Sequence, residues 1–489
     1  MAVRPAAFFL YPDQFEFDVG QPQLDGCKDD YFHTHFSPNA EWLHQLSEMI
    51  LLPGRWNAQL LGYVFEPLPG ANKDFPSWGL TVRVAAFVLW VLSVPFAVLS
   101  LAVAFPLRCI DHQFRPAFSY FDSSMEDQAQ VKHLSGLVLT AQEPLHLRTH
   151  NLGFTTSSMS IGADLRHPEE RAQEVVDSIV QDQMPPDIIF FQEGFHEDAV
   201  SLLCQGIKLQ YPHILHTLAP QITGFSSGSI VASKYPIESI KFHALAYMLG
   251  PERASARGIT RILLNTPSGP LLVYGVHTQA LIGEARAIAR FNQLEEIRQF
   301  MEDDLKEHIG ASQILVGDFN TSRVSAWGED NIGQAEERVF NRLEQYFDDL
   351  FLQDHDQTTG KRVRWDPMFL DHDNQAMGED LEEPSGSWYH GPFADRGFIL
   401  SSKMDIDRRA YLYPDPQIAA GIYVRPSIWG TQRWRAEQTA NTARFDYILV
   451  PKGQGKLQGR AEIRRVAVPP QAQSAPTDHL PVDALIWLS

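Results

Sequence analysis

Between Val84 and Leu107 the chain runs 24 residues, VAAFVLWVLSVPFAVLSLAVAFPL, with no charge and only Ser93 and Ser100 as polar side chains. A straight helix of that length reaches about 36 Å, enough to cross a hydrocarbon layer of about 30 Å. Arg83 and Arg108 bracket the run, where their stems can snorkel to an interface. The segment is therefore expected to be a membrane segment, spanning or re-entrant. Pro95 near its centre removes a backbone donor, which favours a kink or a re-entrant hairpin over a straight crossing. Basic residues do not decide orientation, because Lys73 and Arg83 on one flank are matched by Arg108 and Arg115 on the other. An earlier stretch, Trp42–Phe65, holds His44, Glu48 and Arg55 and is expected to lie at the surface.

Charge narrows the partners. Asp and Glu number 60 against 40 Lys and Arg, a net charge of -20. Such a chain repels polyanions, so no nucleic-acid partner is expected. Cys27, Cys109 and Cys204 are too few for a disulfide framework, a cytosolic type of cysteine usage. Charges at Arg4, Asp13, Glu16 and Asp18 interrupt the first twenty residues and argue against a signal peptide.

Composition and periodicity divide the chain into an N-terminal membrane-proximal region (1–83), the hydrophobic segment (84–107), a juxtamembrane link (108–144) and a large domain (145–489). Within the last, short apolar runs alternate with amphipathic helices, an α/β pattern. Strands are expected at Leu145–Asn151, Asp187–Glu193, Ser229–Ser233, Thr260–Leu264, Leu271–His277, Gln313–Phe319, Phe445–Val450 and Pro481–Leu488. One helix should open at Pro168 and bury Ala172, Val175, Val176, Ile179 and Val180. A second should bury Ile288, Phe291, Leu294, Ile297 and Met301. The stretch from Thr321 to Ala443 is turn-rich, with an acidic run at Asp371–Glu383 and several tryptophans.

Polar residues cluster where these apolar runs end. Asn151 closes LRTHN, Glu193 closes DIIFFQE and His277 closes LLVYGVH. Asp318 and Asn320 sit in ILVGDFN, Asp446 in ARFDYILV, and Asp478 and His479 precede LPVDALIWL. Charged groups at the ends of buried strands are costly to desolvate unless they pair or hold a cation. Brought to one edge of a sheet sandwich, they would form a hard-cation site beside phosphate-binding donors.

In this order the elements GDFN, R-x-DYI and DH-x-PV resemble the endonuclease/exonuclease/phosphatase superfamily over roughly residues 145–489. The resemblance implies a four-layered sandwich of two mixed β-sheets flanked by helices, and phosphoester cleavage by water with Mg²⁺ or Mn²⁺. Carried onto this chain, it makes Glu193 the main metal ligand, with Asn151 and Asp478 contributing. His479 would activate water, oriented by Asp446, with Asp318 the rival base. Asn320 and His277 would bind phosphoryl oxygens, and His277 is also a proton donor to the leaving group.

Three stretches narrow the branch. HTQA at His277–Ala280, IARFNQLEEIRQFM at Ile288–Met301, and VPFAVLSLAVAFPLR followed by RPAFSYF resemble the membrane-bound neutral sphingomyelinases. In that branch an Asp and a Lys five residues apart gate the site; Glu252 and Arg257 in GPERASARGITR keep the spacing and signs with different side chains. They are either a gating pair or an exposed, weak ion pair. The reading is a membrane-associated, Mg²⁺-dependent sphingomyelin phosphodiesterase whose partners are the bilayer and its lipid. A phosphatase or phospholipase C for another headgroup is the enzymatic alternative, ahead of a nuclease. The non-enzymatic alternative is a membrane scaffold that keeps an inactive fold.

Overall fold

A computed structural model describes residues 14–18, most of 43–57, 60, 76–112, 118–122, 144–155, 167–182, 184–221, 225–266, 268–280, 284–321, 331–350, 388–390, 422–427, 430–435, 441–443, 446–453, 457–463 and 481–488. In chain order the strands are β1 (Gln14–Asp18), β2 (Ser119–Asp122), β3 (Leu145–Phe154), β4 (Ile188–Gly194), β5 (His213–His216), β6 (Ile230–Ser233), β7 (Ser239–Ala244), β8 (Gly258–Thr266), β9 (Gly269–His277) and β10 (Ser312–Asp318). They continue as β11 (Phe347–Asp349), β12 (Trp388–His390), β13 (Ile422–Ser427), β14 (Gly430–Arg435), β15 (Asn441–Ala443), β16 (Asp446–Pro451), β17 (Leu457–Ile463) and β18 (Val482–Leu488). The helices are α1 (Pro76–His112), α2 (Pro168–Val180), α3 (Glu197–Ile207), α4 (Glu284–Glu307) and α5 (Asn331–Tyr346).

Two seven-stranded sheets carry the fold among the described residues. One runs β1-β7-β8-β9-β10-β16-β11 and the other β17-β18-β3-β4-β6-β5-β2. Each has one parallel pair, β9 with β10 and β3 with β4, and its other pairings are antiparallel. Helix α4 makes the crossover between β9 and β10, and α2 makes the one between β3 and β4.

The strands read as unbroken apolar runs because both faces are covered. Leu145, Leu147, Ile188 and Phe190 of one sheet meet Val273, Ile314, Val316 and Ile448 of the other in the central core. The alternate residues point outward. Ile189 and Phe191 pack under α2 and α3, while Tyr274, Leu315 and Tyr447 pack under α4 and α5. The result is four layers: helices, sheet, sheet, helices. On α2 the expected apolar face is buried except for Val180, which is exposed. On α4 the buried face is rotated. Ile288 faces solvent while Arg290, Gln293 and Asp304 turn inward, because Arg290 and Gln293 bond the backbone of Gln279 just past β9 and Asp304 bonds Arg261 of β8.

The sandwich draws strands from outside residues 145–489. Edge strand β1 pairs with β7 and edge strand β2 with β5, so segments on either side of α1 complete the two sheets. Helix α1 itself continues through Pro95 and Pro106, without the turn that a re-entrant hairpin centred on Pro95 requires. Side chains satisfy backbone near the proline: the Trp90 carbonyl accepts from Ser93 Oγ at 2.9 Å and from Asn57 Nδ2 at 3.0 Å. Asn57 Nδ2 also donates to Ser93 Oγ at 2.8 Å, and Ser100 Oγ donates to the Ile50 carbonyl. Helical residues within 43–60 are thus packed on the small-residue side of α1, where Ala86, Ala97 and Ala104 are buried. The Val84–Ile110 part has mean hydropathy 2.4 and is long and apolar enough to cross a membrane.

A buried ion cluster ties α2 to its sheet. Asp483 of β18 stands opposite Arg148 of β3 and accepts from Arg148 Nε at 2.6 Å and Nη2 at 2.8 Å, with His146 Nε2 at 2.9 Å. Arg148 also reaches Asp182, just past α2, at 3.0 Å. Burial pushes the Asp483 pKa up, but the Arg148 guanidinium and then His146 more than reverse this and hold the carboxyl well below the usual carboxylate range. A depressed folded-state pKa stabilises the fold above the unfolded value of about 3.9, and that stability is lost as pH falls further. Asp483→Asn is expected to cost about 3 kcal/mol in chemical denaturation at neutral pH, with the gap to the parent protein narrowing below about pH 4.

Candidate active site

The crossover topology gathers the strand-end residues. In a βαβ unit both parallel strands point the same way, so their carboxyl ends share one edge of the sheet. Asp318 closes β10 directly opposite His277 at the end of β9, and opposite Asp446 at the start of antiparallel β16. These three therefore form a row across one sheet. By strand alternation the row belongs to the face that carries Val273, Ile314 and Ile448, toward the other sheet. That sheet places Asn151 of β3 beside Gln192 of β4.

Side-chain bonds then cross between the sheets. Asn151 Nδ2 donates to Asp318 Oδ2 at 2.9 Å, and its Oδ1 accepts from Gly153 N–H at 3.0 Å. Asp318 Oδ1 accepts from the Asn320 N–H at 2.8 Å. His277 Nε2 lies 3.6 Å from both Glu193 Oε1 and Asp318 Oδ2. Asp446 is fully buried, and His277, Asp318 and Asn151 are nearly so. Glu193 departs from regular strand geometry with φ +60°, and Asn320 has φ +47°. Left-handed backbone at a non-glycine residue costs of order 1–3 kcal/mol, and here it occurs at two residues of the cluster.

Glu252 and Arg257 join this cluster. Arg257 Nη1 meets Glu252 Oε1 at 2.9 Å and the Thr278 carbonyl at 3.1 Å, and Nη2 meets Glu193 Oε1 at 3.4 Å. The Ala280 N–H donates to the same Glu252 oxygen at 3.0 Å. Both side chains are largely buried, so the alternative of an exposed, weak ion pair does not hold. The reason is the 3₁₀ turn Gly250–Ala254, which folds the pair back over the end of β9. A polar network fastens that turn: Leu249 N–H donates to Gln279 Oε1, and Gln279 N–H to Gln293 Oε1 on α4.

Asn151, Glu193, His277, Asp318, Asn320 and Asp446 are thus gathered at one edge, with Glu252 and Arg257 beside them. Asp478 and His479 lie outside the described residues; the strand that follows them begins at Val482, paired with Thr149. Sequence reasoning did not identify Thr278 and Gln192. Thr278 donates through Oγ1 to the Phe319 carbonyl at 2.6 Å, and Gln192 donates to Thr149 Oγ1 at 3.0 Å. A hydroxyl directly after His277 in HTQA was the available signal for the first.

The donor set fits a hard divalent cation. Glu193, Asp318 and Asp446 bring three carboxylates and Asn151 an amide oxygen to one edge of the sandwich, with the Arg257 guanidinium beside Glu193. Carboxylate and amide oxygens are the kind of ligand that hard divalent cations such as Mg²⁺ or Mn²⁺ take.

The Endonuclease/Exonuclease/phosphatase family model matches residues 149–479. The chain is 27% identical over 221 residues to a protein named Sphingomyelinase C from Leptospira interrogans, a match covering 42% of this chain and 39% of that protein. It is 25% identical over 216 residues to Sphingomyelinase C 1 of a copenhageni strain of the same species, covering 40% and 35%. The chain therefore spans under two fifths of the length of these relatives. Among solved structures, β toxin from Staphylococcus aureus aligns with a TM-score of 0.43 at 17% identity, over 70% of this chain and 99% of that one.

Gly317, beside Asp318, has φ +137°, and a Cβ there would lie 2.0 Å from the Val276 carbonyl oxygen. Gly317→Ala must part β9 from β10 where His277 and Asp318 pair. The expected loss is on the order of 3 kcal/mol, measured by denaturation.

Proposed function

Because the chain belongs to the endonuclease/exonuclease/phosphatase family, we propose that it is a membrane-associated phosphodiesterase that hydrolyses sphingomyelin to ceramide and phosphocholine. The observation that carries the reaction class is the row His277–Asp318–Asp446, faced by Glu193 and Asn151 across the sandwich. The lipid substrate is supported by the apolar helix on the same chain and by local similarity to proteins named sphingomyelinase.

Glu193 and Asn151, with Asp478, would hold Mg²⁺ or Mn²⁺. Bound there, the cation supplies positive charge against the phosphoryl and leaving oxygens. His479 takes the proton of the attacking water, with Asp446 orienting its ring. Asp318, whose two carboxylate oxygens accept from Asn151 Nδ2 and the Asn320 N–H, is the alternative base. His277, 3.6 Å from two carboxylates, binds the phosphoryl group and protonates the departing ceramide oxygen. Asn320 donates to a phosphoryl oxygen. Arg257 holds Glu193 in place through the Glu252 strut, which makes this pair a fixed support for the site.

Sphingomyelin-containing liposomes with Mg²⁺ are expected to release phosphocholine, and a chelator to stop it. Glu193→Ala and His479→Ala should each lower kcat/KM by at least about 10³-fold. Arg257→Ala should lower it by about 10- to 100-fold, with partial recovery in Arg257→Lys. A parallel panel of phosphatidylcholine, a phosphoinositide and DNA tests the substrate. Cleavage of one of these with sphingomyelin untouched would overturn the lipid assignment and leave the site, whereas full activity in both alanine variants would overturn the site.

A further inference from the structure

Outside the catalytic edge, the two helices on the β3–β4 side begin alike. Helix α2 is preceded by His167 and carries Glu169 as its second residue, in the order His-Pro-Glu. Helix α3 is preceded by His196 and carries Asp198 as its second residue, in the order His-Glu-Asp. The two helices pack side by side, so close that a Cβ on Gly206 of α3 would lie 2.5 Å from Val176 of α2. Their starts therefore bring two imidazoles and two carboxylates together.

Ligand atoms of Glu169, His196 and Asp198 all lie within 4.8 Å of one another. His167 stands just outside that group: its ring is edge-on to that of His196 at 5.5 Å, and its Nδ1 is 3.8 Å from Glu169 Oε2. Histidine is not among the favoured N-cap residues, yet it occupies both caps. His167 makes no capping bond to α2, and His196 makes only a long one, accepting from Ala199 N–H at 3.4 Å. Capping thus gives a weak account of two histidines here. Acidic residues in a first turn are ordinary, since they complement the helix dipole; the paired imidazoles are what separates this cluster from that background.

A second group, Asp304, Glu307 and His308 on α4, has similar spacing. There Lys241 and Arg261 already occupy the Asp304 carboxylate, at 3.1 Å each. No lysine or arginine pairs with Glu169 or Asp198 among the described residues, which leaves the α2–α3 group as the one not already neutralised.

We propose that His167, Glu169, His196 and Asp198 form a second metal site, specific for a first-row transition ion such as Zn²⁺. Two imidazole nitrogens and two carboxylate oxygens suit zinc and its neighbours, whereas Mg²⁺ prefers oxygen alone. Ligands at about 2.0–2.2 Å around a tetrahedral ion are about 3.4 Å apart. Rotation of the His167, Glu169 and Asp198 side chains, all at least partly exposed, would close the gap. The ion would staple the starts of α2 and α3 three residues beyond Glu193.

The test uses full-length protein in detergent, stripped by chelator and titrated with zinc chloride by calorimetry, and with cobalt chloride by visible absorption. One equivalent of zinc is expected to bind with excess Mg²⁺ present, cobalt to give ligand-field bands, and zinc to raise the thermal midpoint. His167→Gln and Asp198→Asn change partly exposed side chains. Each should weaken zinc at least tenfold and reduce the midpoint shift, whereas Glu193→Ala should keep both. Unchanged zinc binding in His167→Gln and Asp198→Asn, or its loss in Glu193→Ala alone, would overturn the proposal.

Discussion

A parallel pair of strands cannot be closed by a tight turn, and the rest of this molecule follows from that restriction. The chain must leave β3 or β9 at one edge, travel back along a helix and re-enter beside the strand it left. Each sheet contains one such pair, so each delivers two strand ends to the same edge. Antiparallel β16 adds the residue with which it begins, Asp446, to the same row. No loop has to be long or finely shaped to bring these groups together; hydrogen-bond register does it.

Gathering acids in a dry place carries an electrostatic cost, and the surroundings are built to offset it. Arg257 lies against Glu193 and is itself held by Glu252 and a carbonyl. The outer faces repeat the device for a different end. Asp483 with Arg148 anchors one sheet to the end of α2, and Asp304 with Arg261 and Lys241 anchors α4 to the other. Breaking a buried pair is far more damaging than never having made it, so these clusters fix helix position as much as they add stability.

The eight strands read from sequence are all present, because strands covered on both faces leave an apolar run that little else imitates. Those not anticipated are short or lie near the edges. The four-residue β5 reads HILH, and β1 reads QFEFD. Polar residues interrupt both, so neither leaves an apolar run long enough to stand out. Among the polar residues, those at strand ends were legible through the cost of burying them. The burial of Arg257 was not, since spacing alone says nothing of which way a turn folds. The packing of Ile50 and Asn57 on α1 was hidden for a related reason: Asn57 and Ser100 look like surface residues until each is seen bonded to the other helix.

Strand β1 precedes α1 in the chain and β2 follows it, and each is sewn into an edge of the same sandwich. The apolar helix is thus a loop on a loom, anchored before and after by fabric that lies on one side. A thread held in this way passes through a barrier an even number of times or not at all. A lone one-way crossing by α1 would have to unpick an edge strand. Any crossing by α1 needs a return leg between residues 18 and 76, and within that interval Ile50, Gly54 and Asn57 already lie against it.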